Sequence, residues 1–179
     1  MLRKGIILVS VPICLLAISA CVAPSVFRLT IGHLLMLPYV IAYRAASTII
    51  GKNRAQTVIG RLLTKSAESL SVLFFPRIED GKYFPLFRDG MERLFTSLKP
   101  LYNFDVVEKN NTTIKFTVKN CPFAHALQSM GAPELGKFLC AGDFMVANHF
   151  KDTWKFKRTH SHGTDGQCCD HTYMAVESS

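Results

Sequence analysis

The pattern of apolar residues changes at Pro100, and this change predicts an α+β fold. Before Pro100, apolar residues recur at helical spacing over residues 56–75 and again over residues 83–98, which indicates two amphipathic helices that contribute to a core. After it, β-branched and aromatic residues alternate with polar ones from Tyr102 to Lys119. The Lys109–Thr112 segment is rich in turn-forming residues, so this region predicts a β-hairpin.

The remainder of the chain predicts two more helices and a second hairpin. A short helix begins at Cys121-Pro122 with Asn120 as its N-cap, and Gly131 ends it. A longer helix runs from Pro133 to about Phe150.

The last hairpin is predicted from two extended segments around a glycine-containing turn. The strands cover Thr153 to Ser161 and Gln167 to Val176. The expected architecture is an N-terminal membrane helix and amphipathic helices packed on a small antiparallel sheet, which is built from two β-hairpins with intervening helices. Three regions follow: an anchor or signal segment at 1–27, a helical region at 28–100 and an α+β domain at 101–179.

The N-terminus favours attachment to a membrane. Residues 5–27 contain no charged side chain, which is enough to cross a bilayer, and Arg3 and Lys4 precede them. A single N-terminal pass, a lipid anchor at Cys21 and a removed signal peptide are all compatible with this pattern. The second apolar run, residues 29–43, is short for a span and predicts a buried or interfacial helix.

The charge of the chain is basic but dispersed. There are 21 Lys and Arg against 13 Asp and Glu, a formal net charge of +8. No run of five or more basic residues and no nucleic-acid-binding motif is present, so nucleic acid is not an expected partner. Attraction to anionic membrane lipid explains the same charge.

Most of the reactive side chains of the sequence lie between Asn120 and Tyr173. This stretch holds four of the six cysteines and five of the six histidines. On the longer predicted helix Cys140 and Asp143 are three residues apart, so they share a face. On the last predicted strand Cys169 and His171 share a face. The preceding strand is expected to offer two further imidazoles, those of His160 and His162.

Two chemistries use such a set. A cysteine thiolate can attack an electrophilic carbon while a histidine moves protons and a carboxylate orients it. Alternatively, Cys, His and Asp can bind Zn²⁺ or another divalent metal that activates water. No C-x₂-C pair is present, and disulfides or simply buried thiols remain open for the cysteines.

Five short motifs, taken in order, resemble the L-2-amino-thiazoline-4-carboxylic acid hydrolase family over residues 101–173. They are Asn120-Cys121-Pro122-Phe123, Gly131-Ala132-Pro133-Glu134-Leu135, Phe138-Leu139-Cys140-Ala141-Gly142-Asp143, Phe156-Lys157-Arg158-Thr159 and Gly166-Gln167-Cys168-Cys169-Asp170. The resemblance implies a small α+β domain that hydrolyses a cyclic amidine-like C–N bond in a five-membered sulfur heterocycle. It implies an N-carbamoyl cysteine as product.

Six residues fall on the pattern of this family: Cys121, Cys140, Asp143, Thr159, Cys169 and Asp170. We expect four of these to be catalytic, namely Cys140, Asp143, Cys169 and Asp170. We expect Cys121, Arg158 and Thr159 to contact substrate. His160, His162 and His171 stand where the family is expected to have small, apolar or aromatic residues, and they are the candidate metal ligands.

Two hypotheses for function follow. The first is a membrane-anchored hydrolase that opens a cyclic amidine ring and needs no cofactor if the thiol is the nucleophile. The second is a non-catalytic metal-binding or accessory subunit of a membrane protein complex, with membrane lipid and other subunits as partners.

Overall fold

The computed structural model describes residues 24–176, which form an α+β fold. The described helices are α1 (Pro24–Ile50), α2 (Lys52–Phe74), α3 (Phe84–Ser97), α4 (Pro122–Ser129) and α5 (Gly136–His149). Short 3₁₀ turns at Gly81–Tyr83 and Pro133–Leu135 precede α3 and α5. The strands are β1 (Asn103–Lys109), β2 (Thr113–Asn120), β3 (Trp154–Lys157) and β4 (Cys169–Ala175).

The four strands form one antiparallel sheet in the order β1-β2-β4-β3. Strands β1 and β2 form one hairpin, β3 and β4 form the second, and the pairing of β2 with β4 joins them. The two predicted hairpins and the fold class are therefore confirmed. In the first turn, the side chain of Asn110 accepts hydrogen bonds from the backbone N–H groups of Thr112 (2.9 Å) and Thr113 (2.8 Å), so this asparagine has a structural role.

The bounds of three predicted elements needed correction. The strand predicted over 153–161 ends at Lys157, because the next residues turn to bond the side chain of Asp170 instead of a neighbouring strand. The returning strand begins at Cys169 rather than Gln167. Asn120 is the last residue of β2, and Cys121 is the N-cap of α4, its sulfur accepting from the Ala124 N–H at 3.5 Å.

Helix α1 extends well beyond the second apolar run. It is the one helix of the described residues that is long and apolar enough to span a membrane, with a mean hydropathy of 1.5. Its buried residues Gly32, Met36, Val40 and Tyr43 recur every three or four positions and face α2 and α4. The opposite face is exposed and apolar. Residues 1–23, which carry most of the predicted anchor, lie outside the described residues.

The main core lies between α3 and the sheet. The predicted stripe on α3 is confirmed as core: Phe84, Phe87, Met91 and Phe95 are buried. The ring of Phe95 stacks on Phe116 of β2 with centroids 4.3 Å apart. This stacking buries aromatic surface on one face of the sheet and so stabilises the sheet.

Helices α2 and α5 pack closely at a small residue. A Cβ atom added to Gly60 of α2 would lie 2.5 Å from the ring of Phe138. Glu68 of α2 is buried and is held by His149 of α5 at 2.6 Å and by Lys65 at 2.9 Å. These contacts fix α5, and with it the side chains of Cys140 and Asp143.

Candidate active site

A cavity of about 300 Å³ lies between α1, α2, α3 and the sheet. Its exposed apolar lining includes Leu35 and Leu70, which place the mouth at α1 and α2. Its inner lining includes three thiols, a carboxylate and an imidazole, those of Cys121, Cys140, Cys169, Asp143 and His171. Cys140 and Cys169 are buried, and the other three are partly buried. The volume is at the lower end of the range for small-molecule sites, roughly 300–1,000 Å³. The cavity therefore joins an apolar entrance to a reactive inner end.

The predicted faces of α5 and β4 meet in this cavity. Cys140 and Asp143 line it from α5, and Cys169 and His171 line it from β4. Helical spacing of three and strand spacing of two place each pair on one face, as expected. Cys121, at the start of α4, completes the group.

The thiol of Cys140 is the most easily ionised of these cysteines. A hydrogen bond from Cys169 is the main cause that lowers the pKa of Cys140 to about 7, and Ser161 and Arg158 act in the same direction. Burial and the carboxylate of Asp143 oppose that shift. The pKa of Cys169 is raised, first by its hydrogen bond to Cys140 and then by burial. Cys140 is therefore the thiol of this pair that loses its proton more readily, and Cys169 is the one that keeps it.

Arg158 positions the carboxylate. Its guanidinium pairs with Asp143 Oδ2, and a second nitrogen donates to the backbone oxygen of Cys140 at 2.9 Å. The side chain is buried against the ring of Phe144 at 4.9 Å, and Arg158 is absent from the cavity lining. The structure thus places this predicted substrate-binding residue behind Asp143.

His171 stands beside Asp143 as a neutral imidazole. Its Nε2 is 3.7 Å from Asp143 Oδ2, and within residues 24–176 neither ring nitrogen has a hydrogen-bond partner. Burial lowers the pKa of His171, so the neutral form dominates near neutrality. A buried imidazole with open nitrogens can accept a proton from a molecule bound in the cavity.

Asp170 and Thr159 do not reach the cavity. Asp170 accepts from the backbone N–H of Thr159 (2.9 Å), from its hydroxyl (2.5 Å) and from the backbone N–H of His160 (2.5 Å). Despite partial burial, these bonds lower the pKa of Asp170 to about 2. Both residues shape the loop between β3 and β4, so the structure does not bring them to the predicted catalytic and binding positions.

The three candidate metal ligands lie apart. His160 Nδ1 bonds Asp165 at 2.9 Å, while His162 Nε2 bonds the backbone oxygen of Val118 at 3.1 Å. His171 is in the cavity without either of them. Among the residues that the structure describes, no group of three or more His, Cys, Asp or Glu is arranged to hold a metal ion.

The comparison with protein families agrees with the motifs. The model of the L-2-amino-thiazoline-4-carboxylic acid hydrolase family matches residues 30–173. The chain belongs to this family. The match includes α2, α3 and most of α1, well beyond the region 101–173 where the motifs were recognised.

The other comparisons add little to the family match. A search of curated proteins found no match. A solved structure of an unliganded Fe(II) H-NOX protein mutant from K. algicida is similar at 14% identity, over 74% of this chain and 68% of that chain, with a TM-score of 0.31. A TM-score this low does not establish a shared fold.

Ser161 is a site residue of this family member that the sequence did not reveal. It is almost fully buried, its Oγ lies 2.8 Å from Thr164 Oγ1, and it helps to lower the pKa of Cys140. The sequence indicated the flanking His160 and His162 as candidates, whereas the hydroxyl of Ser161 between them is the group that affects the Cys140 thiol. Tyr102 also lines the cavity and is partly buried, whereas the sequence indicated only that it begins a strand.

Proposed function

We propose that this protein opens the ring of a cyclic amidine of the 2-aminothiazoline type by attack of the Cys140 thiolate. The observation that carries the proposal is one cavity that holds an easily ionised thiol, a carboxylate and a neutral imidazole. A thiolate is the nucleophilic form of cysteine, and these neighbours supply what it needs to act on an amidine carbon.

Each group has a role in the proposed reaction. Asp143 Oδ1 has no hydrogen-bond partner within residues 24–176, so it can accept an amidine N–H and orient the ring. Cys169 donates its S–H to Cys140 and keeps the thiolate available. His171 accepts a proton from the water that completes the hydrolysis.

Atom balance identifies the bond that breaks. The Cys140 sulfur adds to the amidine carbon, and the ring C–S bond breaks to leave an isothiourea on Cys140 and a free thiol on the opened substrate. Water then adds to the same carbon, and Cys140 leaves with a proton. An N-carbamoyl cysteine keeps both nitrogens on the carbamoyl carbon, so this product requires C–S cleavage. Cleavage of the ring C–N bond would give an S-carbamoyl product instead.

Replacement of the nucleophile tests this function. We expect Cys140→Ala to lower the rate of thiol release from 2-aminothiazoline-4-carboxylate, or from the uncharged parent ring, by at least about 10³-fold. Cys168→Ala is the matched control, since Cys168 is a half-buried free cysteine outside the cavity lining. Undiminished ring opening in Cys140→Ala would contradict the assignment of the nucleophile, whereas no ring opening by the wild-type chain would favour a non-catalytic accessory role.

The outer face of α1 supports a proposal for membrane attachment. Leu34, Leu37 and Ile41 form an exposed stripe, while the opposite face is buried against α2 and α4. The Arg28 guanidinium donates to the backbone oxygens of Pro100 (3.0 Å) and Lys99 (3.1 Å), which ties α1 to the rest of the fold. We therefore propose that α1 lies along an anionic bilayer surface, in addition to any anchoring by residues 1–23.

A further inference from the structure

The cavity has no cation for a carboxylate substrate. Among the described residues that line it there is no lysine or arginine. The nearest guanidinium, that of Arg158, is buried and already bound to Asp143 and to the Cys140 backbone. A carboxylate that leaves water for an apolar site without a charged partner loses its hydration with no compensation.

The charge that does line the cavity has the wrong sign for an anion. Asp143 presents a carboxylate, and His171 is neutral because of its burial. An amidine that arrives protonated can pair with the open oxygen of this carboxylate, whereas a carboxylate on the same ring finds no such partner, because Arg158 is already paired with Asp143. Both features favour a ligand that is neutral or cationic at the reactive end.

The entrance fits an apolar group. Leu35 is 46% exposed and Leu70 is 57% exposed, and both line the cavity. Leu94, Leu98 and Leu139 add further apolar surface to the lining. A bound hydrocarbon group would cover these side chains and gain free energy from their removal from water.

We propose that the substrate of this family member is a cyclic amidine that carries an apolar substituent where the amino-acid-derived ring carries a carboxylate. The amidine lies at Asp143 and Cys140, and the substituent lies along Leu35 and Leu70. This inference rests on the proposed ring-opening function and adds the class of substrate.

Two matched probes test it. Calorimetry measures binding of 2-amino-4-butyl-thiazoline and of 2-aminothiazoline-4-carboxylate to the full chain, and free-thiol release measures ring opening of each. We expect the butyl ring to bind at least about tenfold more tightly, given its apolar area. Equal or tighter binding of the carboxylate ring, or no binding of either ring, would overturn the inference.

A pair of variants on α2 locates the effect. Leu70→Arg introduces a cation at the mouth of the cavity. It should weaken binding of the butyl ring and strengthen binding of the carboxylate ring, so that the preference for the butyl ring falls by about tenfold or more. Leu62→Arg is the control, because Leu62 is 54% exposed on the same helix and lies outside the cavity lining. An equal change in both variants would contradict the assigned entrance.

The two proposals fail in different ways. Tighter binding of the butyl ring without ring opening supports the apolar cavity entrance but contradicts the hydrolase function, since neither ring would then be a substrate. Ring opening with a preference for the carboxylate ring supports the hydrolase function and overturns the inference.

Discussion

At the scale of single residues, three thiols in one cavity differ in ionisation because their neighbours differ. Burial raises the pKa of Cys121 to about 12, whereas the hydrogen bond to Cys140, followed by burial, raises the pKa of Cys169. Cys140 alone receives a thiol hydrogen bond together with support from Ser161 and Arg158. Cys140 is therefore the thiol of the three that ionises most readily, which supports it as the proposed nucleophile.

The pH dependence of turnover follows from this difference. We expect kcat/KM to rise with pH through about 7 as Cys140 loses its proton, and then to level off. In Cys169→Ala the donor is gone, so the pKa of Cys140 moves up toward the ordinary thiol value of 9.0 and the rising limb moves with it. The rate of Cys140 alkylation against pH checks the shift independently of turnover. A rise of kcat/KM at the same pH in wild type and in Cys169→Ala would contradict the role of Cys169.

The sequence predicted those site residues whose placement depends on spacing within one element. Cys140 with Asp143, and Cys169 with His171, share a face by the geometry of a helix and of a strand, and all four line the cavity. Strand alternation puts Asp170 on the face opposite Cys169, but its bonds to Thr159 and His160 depend on how the intervening loop folds back and could not be predicted. The same loop turns His160 and His162 toward different partners.

At the scale of elements, the loop between β3 and β4 covers the nucleophile. A Cβ atom added to Gly163 would lie 2.2 Å from the backbone oxygen of Gly136 and 2.6 Å from Cys140 Sγ. In the same loop, the His162 N–H donates to Cys169 Sγ at 3.4 Å. The loop therefore contacts both sulfurs, those of Cys140 and Cys169, and fixes their positions.

Replacement of this glycine tests the contact. Gly163→Ala must push the loop away from α5, so we expect at least about a tenfold loss of turnover and a higher pKa for Cys140. Gly166→Ala is the matched control: Gly166 has φ 75°, but no atom lies within 4 Å of its added Cβ. It should cost about 1 kcal/mol of stability through backbone strain and leave turnover unchanged. Equal loss of turnover in both variants would indicate general destabilisation.

The sequence predicted the types of these elements better than their limits. Strand β3 ends at Lys157 because the side chain of Asp170 accepts hydrogen bonds from the backbone N–H groups that follow. The alternation of apolar and polar residues does not predict this contact. Helix α1 runs to Ile50 although the apolar run ends at Tyr43, since its later residues still pack and bond along the helix. Local pattern identified the element, and tertiary contacts determined where it ends.

At the scale of the whole molecule, the exposed stripe of α1 gives the protein an apolar side. We expect Leu34→Glu/Ile41→Glu to reduce partition of the full chain onto phosphatidylserine vesicles by at least about tenfold, because two exposed aliphatic side chains that would enter the bilayer are replaced by two negative charges. Val107→Glu, an equally exposed change on β1, should have little effect. Undiminished vesicle binding by the α1 variant would contradict contact through this face.

The central claim is that Cys140 becomes covalently bound to the amidine carbon. Ring opening removes no fragment, so intact-protein mass spectrometry of wild type quenched during turnover of a 2-aminothiazoline should show a gain equal to the whole substrate mass. The modified peptide should contain Cys140, and the gain should vanish in Cys140→Ala while Cys168→Ala retains it. An adduct that maps to Cys121 or Cys169, or that persists in Cys140→Ala, would contradict the account.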